Sequence, residues 1–349
     1  MVGQSYRERV DEALRSGGSE TALDLAVAAL ETSCGDLLTE WGEAVECLGG
    51  QSAALRACLL GALPDRYRRA PLGSASALGL LHLSAVLNRG LTTDVLVAER
   101  RAAVAGIGDL WVCRDHALLH LAHTELYGGW ALPPQTVATV RRSAALVEDP
   151  GWKTLAVQLA QPVLNVGEHW ADTALADVAE SRPGWVRLLA HAASVRALPP
   201  TVTWERRARD LLTDIGAAAV RERLLCWLGL VGLPRTHMVT GAGNFGPQWT
   251  NVRFDPFNAD ALRGVVWLLA LMDPDEGSTL ALGALADVAL RVAPGQGPLK
   301  VANAAVRVLS RLESDTALAE LRRLSRRAAH GSTLRLINNV LTASRTDDV

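Results

Sequence analysis

Apolar residues recur at helical spacing along most of this 349-residue chain, and this periodicity restricts the fold more than any other feature. Leu23, Val27 and Leu30, for example, fall on one face of a helix. Strand signals are nearly absent, because the chain has only 3 Phe and 3 Tyr and few alternating runs of β-branched residues. The sequence therefore predicts an all-α protein.

Composition and charge exclude several classes of protein. An apolar fraction of 49% argues against disorder, and a net charge of −2 gives no overall attraction to nucleic acid or anionic membranes. The first residues are charged, and the longest uncharged run, 70–88, contains proline, glycine and serine, so that we expect a cytoplasmic protein without a membrane partner. No two cysteines form a CxxC pair, which predicts reduced and mostly buried thiols. These are Cys34, Cys47, Cys58, Cys113 and Cys226.

A repeated tripeptide indicates a structural period. Leu132-Pro133-Pro134 returns as Leu198-Pro199-Pro200, 66 residues later. Four predicted helices fit between the two copies, and hairpins of about 33 residues are typical of helical-repeat proteins. We therefore predict an α-solenoid of stacked antiparallel helix hairpins. Its predicted parts are an N-terminal array at 1–231, an irregular segment at 232–257, continuing C-terminal repeats at 258–343 and a tail at 344–349.

The last third of the chain resembles a known family. Residues 258–267 read NADALRGVVW, and residues 297–341 read GPLKVANAAVRVLSRLESDTALAELRRLSRRAAHGSTLRLINNVL. Together, residues 258–341 resemble the HEAT-like helical region of the bacterial WGR-associated, molybdate-metabolism-regulator-like family, whose function is unknown. The resemblance implies helical repeats and implies no active-site residues.

One segment interrupts the helical periodicity. It covers residues 234–257, and irregular segments of this length, about 25 residues, are uncommon in compact domains and often functional. All 3 Phe of the chain lie in it, and aromatic side chains favour an ordered loop. Two interpretations stay open: the loop packs over the array, or it anchors a ligand or partner. The anchor candidates are His237, Phe245, Trp249, Phe254 and Phe257.

Three histidines share one face of a helix predicted at 109–127. His116, His120 and His123 are spaced i, i+4 and i+7, and neutral imidazole is a common ligand for transition metals. This histidine stripe is therefore a candidate metal or ligand site. The catalytic HExxH pattern is absent because Ala117 follows His116, and the alternative is a polar stripe bonded to backbone or water. We expect no bound cofactor, and we expect any ligand site to lie where the stripe meets the loop at 234–257.

Three functions from different classes fit these patterns. An array without a catalytic motif favours a non-enzymatic interaction protein that binds a peptide or protein on its concave face. The second interpretation is a HEAT-like enzyme, which could depend on a metal, with a groove site at the histidine stripe. The third is nucleic-acid binding by a basic helix pair near the C-terminus. Its candidate residues are Arg322, Arg323, Arg326 and Arg327.

Overall fold

The computed structural model describes a chain of α-helices joined by loops. The described residues are 5–32, 40–71, 73–181, 183–241, 251, 254–291, 296–312, 314–328 and 330–346. They contain 18 α-helices and no β-strand, so that the prediction of an all-α protein is confirmed. None of the helices found in these ranges is long and apolar enough to cross a membrane.

The helices divide between two compact units. Unit 1 consists of residues 1–108 and 114–136, and unit 2 consists of residues 109–113 and 137–349. The short segment 109–113 thus belongs to unit 2. The predicted boundaries at residues 231 and 257 concern the repeat pattern inside unit 2 and stay predictions.

Unit 1 is arranged around its fifth helix. Its described helices are α1 (Tyr6–Arg15), α2 (Ser19–Thr32), α3 (Glu40–Gly49), α4 (Ala53–Arg69), α5 (Ala75–Asn88), α6 (Val97–Gly106) and α7 (His116–Tyr127). Helix α5 contacts α2, α3, α4, α6 and α7. A helix that is surrounded in this way must be buried on nearly every side, and ten of the eleven residues from Ala77 to Leu87 are buried, the exception being Leu78.

Unit 2 holds the remaining helices. They are α8 (Pro134–Leu146, in unit 2 from Val137), α9 (Pro150–Gln158), α10 (His169–Ala179), α11 (Pro183–Ala193), α12 (Val202–Ile215), α13 (Ala217–Gly229), α14 (Pro256–Ala270), α15 (Glu276–Arg291), α16 (Gln296–Leu309), α17 (Asp315–Ser325) and α18 (Gly331–Thr346). Helix α13 contacts α15, which contacts α17. Likewise, α14 contacts α16, which contacts α18. Contacts between neighbours in sequence join the two series, as between α15 and α16.

The helix predicted at 109–127 is shorter than expected. It begins at His116, because the Asp115 carboxylate caps it by accepting hydrogen bonds from the backbone N–H of Ala117 (2.8 Å) and Leu118 (3.2 Å). Residues 110–115, which precede it, are not helical. Within them, the backbone N–H of Trp111 donates to the carbonyl of Thr240 at 2.9 Å. The predicted start was wrong because the Asp115 cap fixes the start of the helix within an apolar run, whereas the periodicity alone places it seven residues earlier.

The irregular segment is confirmed only in part. Residues 234–241, 251 and 254–255 are non-helical, and α14 begins at Pro256, two residues before the predicted repeats. Residues 242–250 and 252–253 of the segment, including Phe245 and Trp249, lie outside the described part of the chain.

The cysteine prediction is wrong in its account of burial. Of the four described cysteines only Cys113 is buried; Cys47 is half-buried, and Cys58 and Cys226 are exposed, while Cys34 lies outside the described residues. None of these four forms a disulfide. The exposed pair occupies the outer faces of α4 and α13, because larger apolar neighbours take the buried positions of those helices. These neighbours are Leu59, Leu60, Trp227 and Leu228.

Candidate functional site

A buried ion pair joins two distant parts of unit 2. Arg142 of α8 is 1% exposed and Asp255 is fully buried, with Nη1 of the arginine 3.0 Å from Oδ2 of the aspartate. The remaining donors of Arg142 reach the carbonyls of Trp111 (2.7 Å) and Leu110 (3.1 Å) and the Thr139 hydroxyl (2.7 Å). A buried charge is tolerated when it is paired and hydrogen-bonded, as this guanidinium is. It holds the segment 109–113 against α8.

The same aspartate starts a helix. Asp255 Oδ1 accepts hydrogen bonds from the backbone N–H of Phe257 (2.9 Å) and Asn258 (3.3 Å), and Pro256 occupies the first turn of α14. An aspartate cap followed by proline is a favourable helix start, because it satisfies free N–H groups and presets the backbone. Asp255 therefore couples the start of α14 to the buried charge of Arg142.

Two buried asparagines pair reciprocally beside this ion pair. The backbone N–H of Asn165 donates to Oδ1 of Asn258 at 2.7 Å, and Nδ2 of Asn258 donates to the carbonyl of Asn165 at 2.8 Å. Nδ2 of Asn165 also donates to Asp255 Oδ1 at 3.0 Å. The loop that contains Asn165 is thus held against the first turn of α14 by side-chain amides. We call Arg142, Asn165, Glu168, Asp255 and Asn258 the polar network.

Glu168 is the titratable member of the polar network. Its Oε1 accepts from the backbone N–H of Asp255 (2.9 Å), and its Oε2 accepts from Asn258 Nδ2 (2.6 Å) and Trp170 Nε1 (3.2 Å). Burial, together with the negative charge of Asp255, raises the pKa of Glu168 to about 7, against the opposing effects of Arg235 and Asn258. The carboxyl group therefore exchanges its proton near neutral pH, a property that acid–base groups share.

A small cavity borders Glu168. It has a volume of about 20 Å³, and Arg235, Asn251 and Phe254 line it together with Glu168. Arg235 is 7% exposed and donates through Nε to the carbonyl of His237 (3.3 Å), whereas its Nη1 has no partner within the described residues. A cavity of this size holds about one water molecule and no organic substrate. The polar network is therefore arranged to brace unit 2 and not to enclose a substrate.

Three of the predicted loop residues lie around the polar network. Phe254 is buried and lines the small cavity, and the ring of Phe257 lies 4.3 Å below the Arg141 guanidinium. His237 Nε2 lies 3.4 Å from Asp109 Oδ1. No member of the network itself is among the site residues predicted from the sequence. The Asp-Pro pair at 255–256 is the local signal that could have pointed to one of them, because it marks a helix start.

The histidine stripe belongs to unit 1, where two of its rings stack on other rings. His120 stacks on His82 with centroids 5.4 Å apart, and His123 stacks on Tyr127 at 6.1 Å. Burial of His82, with the nearby positive charges of His120 and Arg89, lowers its pKa to about 3, so that its ring is neutral.

Metal binding by the stripe stays a prediction. No group of three or more His, Cys, Asp or Glu side chains in the described ranges is arranged to hold a metal ion. His116 is the first residue of α7, and the loop residues belong to unit 2. The meeting of stripe and loop therefore also stays a prediction.

The basic C-terminal residues are partly neutralised by acidic neighbours. Arg323 pairs with Glu320 (2.6 Å), and Arg327 pairs with Asp287 (3.0 Å). Arg322 and Arg326 are exposed. A cation that is already paired contributes less to phosphate binding, because its counter-charge must be displaced.

A groove in unit 2 has the dimensions of a ligand pocket. It has a volume of about 630 Å³ and lies among α10, α11, α12 and the start of α13. Trp185, Gly184 and Ile215 provide apolar surface, and Arg223 lies 4.6 Å from the Trp185 ring centre. Charged side chains line the same groove, and Ala219 borders it. The charged residues are Glu180, Arg187 and Asp214.

Comparisons with known proteins add no relative: no protein-family model matches this chain, and no curated protein matches it either. The resemblance of residues 258–341 to the WGR-associated family therefore stays an expectation from the residues.

Proposed function

We propose that this protein is a helical-repeat scaffold, an α-solenoid of stacked hairpins, that binds a peptide or protein partner. In a solenoid each helix contacts its hairpin partner and the equivalent helix of the next repeat. The contacts from α13 to α18 follow this pattern, since alternate helices form two series and neighbours join them. This supports the repeat interpretation on which an interaction function rests.

The groove among α10 to α13 is the observation that carries the proposal. Its volume of about 630 Å³ lies within the usual range for ligand pockets, roughly 300–1,000 Å³. The indole of Trp185 gives it an aromatic surface, and aromatic side chains contribute strongly to partner binding. Two carboxylates, Glu180 and Asp214, outnumber the single Arg187 among the charges described there. The partner is therefore a peptide segment with an apolar anchor beside a basic residue.

Two neighbouring alanines allow a matched test of the groove. Ala218 and Ala219 are both exposed in the first turn of α13, but only Ala219 lines the groove. Ala219→Trp fills the groove from its edge, and Ala218→Trp adds the same side chain outside it. Peptides selected from a displayed library on the wild-type protein are then titrated against both variants.

We expect Ala219→Trp to weaken binding of the selected peptides by about tenfold or more, which corresponds to about 1.4 kcal/mol. Ala218→Trp should leave the Kd unchanged, and both variants should melt within a few degrees of the wild type. Selected peptides that bind Ala219→Trp as tightly as the wild type would exclude the groove as the partner site. A library that yields no binder would count against the proposed function itself.

The two other interpretations have less support from the described side chains. The rings of His120 and His123 are engaged in stacking within unit 1, and Arg323 and Arg327 are paired with carboxylates. An enzyme at the histidine stripe and nucleic-acid binding near the C-terminus therefore remain secondary predictions.

A further inference from the structure

A second cavity, in unit 1, is lined by charged side chains of both signs. It has a volume of about 400 Å³ and lies among the end of α5, the loop 89–96, and helices α6 and α7. We call it the arginine pocket. The residues that define it here are Arg89, Thr93, Arg100, Arg101, Glu125 and Tyr127.

A buried arginine and its ion-pair partners form one wall of the arginine pocket. Arg100 is 4% exposed, and its Nε donates to Glu125 Oε1 at 2.6 Å while its Nη2 donates to Asp94 Oδ1 at 2.6 Å. Its Nη1 donates to the carbonyl of Val95 at 2.8 Å. All three nitrogens of this guanidinium are therefore engaged, so that Arg100 positions the surrounding groups and is not free to bind a ligand.

The loop that borders the pocket is held in one conformation. Nδ2 of Asn88 donates to the Val95 carbonyl (3.1 Å), and the backbone N–H of Val95 donates back to Oδ1 of Asn88 (3.2 Å). The next residue, Leu96, has a φ of 60°, in the left-handed region that a non-glycine side chain rarely adopts. Such strain persists where the surroundings enforce it, and it is concentrated at binding sites. The fixed loop lowers the ordering cost of binding a ligand.

Several hydrogen-bond donors of the pocket are unused. Arg101 donates through Nε to Glu125 Oε2 at 3.3 Å, but no described residue accepts from its Nη atoms. Its guanidinium lies 5.3 Å from the ring centre of Trp130. Arg89 reaches Glu46 through Nη1 only (3.3 Å), and the Thr93 hydroxyl has no partner among the residues described. These N–H and O–H groups can donate to an anion while Arg101 keeps its contact with Glu125 and Arg89 keeps its contact with Glu46.

The unused donors of the pocket favour an anion, and its edge favours a ring. Three guanidinium groups line the cavity with two carboxylates, those of Asp94 and Glu125, and a third carboxylate, Glu46, pairs with Arg89. Tyr127 also lines it and is 76% exposed, with its ring stacked on His123. An aromatic ring left so open to water gains free energy when an apolar group covers it.

We propose that the arginine pocket binds a small molecule that joins an oxyanion, a phosphate or a carboxylate, to an aromatic ring. The oxyanion pairs with the Nη groups of Arg101, supported by Arg89 and the Thr93 hydroxyl, since guanidinium groups bind such anions through paired hydrogen bonds. The ring of the ligand packs against Tyr127. This site lies in unit 1 and is independent of the peptide groove in unit 2.

Titration calorimetry of the full chain tests this with phenyl phosphate, benzoate and inorganic phosphate. We expect saturable binding of phenyl phosphate or benzoate at one site per chain, and the tighter of the two identifies the oxyanion. Inorganic phosphate should bind more weakly because it makes no contact with Tyr127. Arg101→Gln should weaken the tighter ligand by about tenfold or more, and Tyr127→Ala should remove its advantage over the ring-free anion.

Two further variants keep the test interpretable. Arg209→Gln removes a surface arginine of unit 2, half of a pair with Glu205, and should leave the affinity unchanged. Arg89→Gln changes an exposed loop side chain and should weaken binding several-fold without lowering Tm, so that the test does not depend on the folding of Arg101→Gln. Absence of saturable binding by both ring-bearing ligands, or wild-type affinity in Arg101→Gln and Arg89→Gln, would overturn the proposal.

Discussion

Arg142 and Asp255 carry opposite charges where water is excluded, and the stability of such a pair depends on whether both partners are present. Removing both can be nearly neutral, whereas removing one leaves an uncompensated buried charge. The Asp255 carboxylate also caps α14 and accepts from Asn165. At the scale of single residues, the stability of unit 2 therefore depends on keeping both charges of the polar network.

Asp255→Asn separates these roles. Asparagine caps helices about as well as aspartate, so that the start of α14 is kept while the charge that faces Arg142 is lost. We expect the free energy of unfolding of unit 2 to fall by about 3–5 kcal/mol. Chemical denaturation followed by circular dichroism measures this change.

The control is Glu205→Gln, which removes one charge of a surface pair with Arg209. Surface pairs of this kind contribute little, and we expect a change of at most about 1 kcal/mol. If Asp255→Asn lowered the free energy of unfolding no more than this control does, the buried pair would not stabilise unit 2 as its burial indicates.

Glu168 should make stability depend on pH. Its pKa is raised from an ordinary value of 4.5 to about 7, so that the folded state holds the proton more tightly than the unfolded state does. The stabilisation is fully present below the unfolded pKa and is lost as the pH rises through about 7.

Glu168→Gln, which is neutral at every pH, reveals this dependence. The unfolding free energy of the wild type minus that of the variant should fall between about pH 5 and about pH 8, by at most about 3 kcal/mol. Urea denaturation at a series of pH values measures the difference. A difference that is constant or rises with pH would contradict the assigned shift.

At the scale of helices, α11 and α14 approach each other through their backbones. A Cβ atom added at Gly264 of α14 would lie 2.0 Å from the Ala192 carbonyl oxygen of α11. Backbone atoms cannot move aside as the end of a side chain can, so the two helices would have to separate. Glycine at this position thus sets the distance between two helices of the core.

Gly264→Ala and Gly61→Ala make the same chemical change in different surroundings. We expect Gly264→Ala to destabilise the protein by about 1–3 kcal/mol or more, the usual cost of overpacking. Gly61 lies within α4 with no atom near its added Cβ, and alanine there should stabilise by about 0.5–1 kcal/mol through helix propensity. Thermal unfolding of both variants tests whether the signs are opposite, and a stabilising Gly264→Ala would contradict the close approach.

At the scale of the whole molecule, the chain consists of two compact units, and the buried side chains of each make separate cooperative opening possible. The polar network lies entirely in unit 2. Asp255→Asn should therefore increase amide hydrogen exchange across unit 2, while amides of α5 in unit 1 keep their protection. Exchange followed by mass spectrometry measures this by peptide, and equal loss of protection in both units would show that they unfold together.

Residues of the candidate sites could be predicted only where a local sequence pattern marks them. An excess of aromatic residues drew attention to Phe254 and Phe257, which lie beside the polar network, and their role as anchors stays a prediction. Helical spacing placed His120 and His123 on α7, yet their stacking partners include His82 of α5, which no pattern within α7 specifies. Arg101 lies in an ordinary helical stretch, and only the neighbouring loop and α7 make it part of a pocket.

The sequence by itself determined the helical class and many helix starts, because the periodicity of apolar residues and the capping of N–H groups act over a few neighbouring positions. It did not determine which polar side chains meet. Arg142 and Asp255 are 113 positions apart, and Asn165 and Asn258 are 93 apart. Each of these residues alone resembles an ordinary surface residue. Only the packing of distant segments removes water from them, and because buried polar groups need partners, these residues pair with one another as an ion pair and as hydrogen-bonded amides.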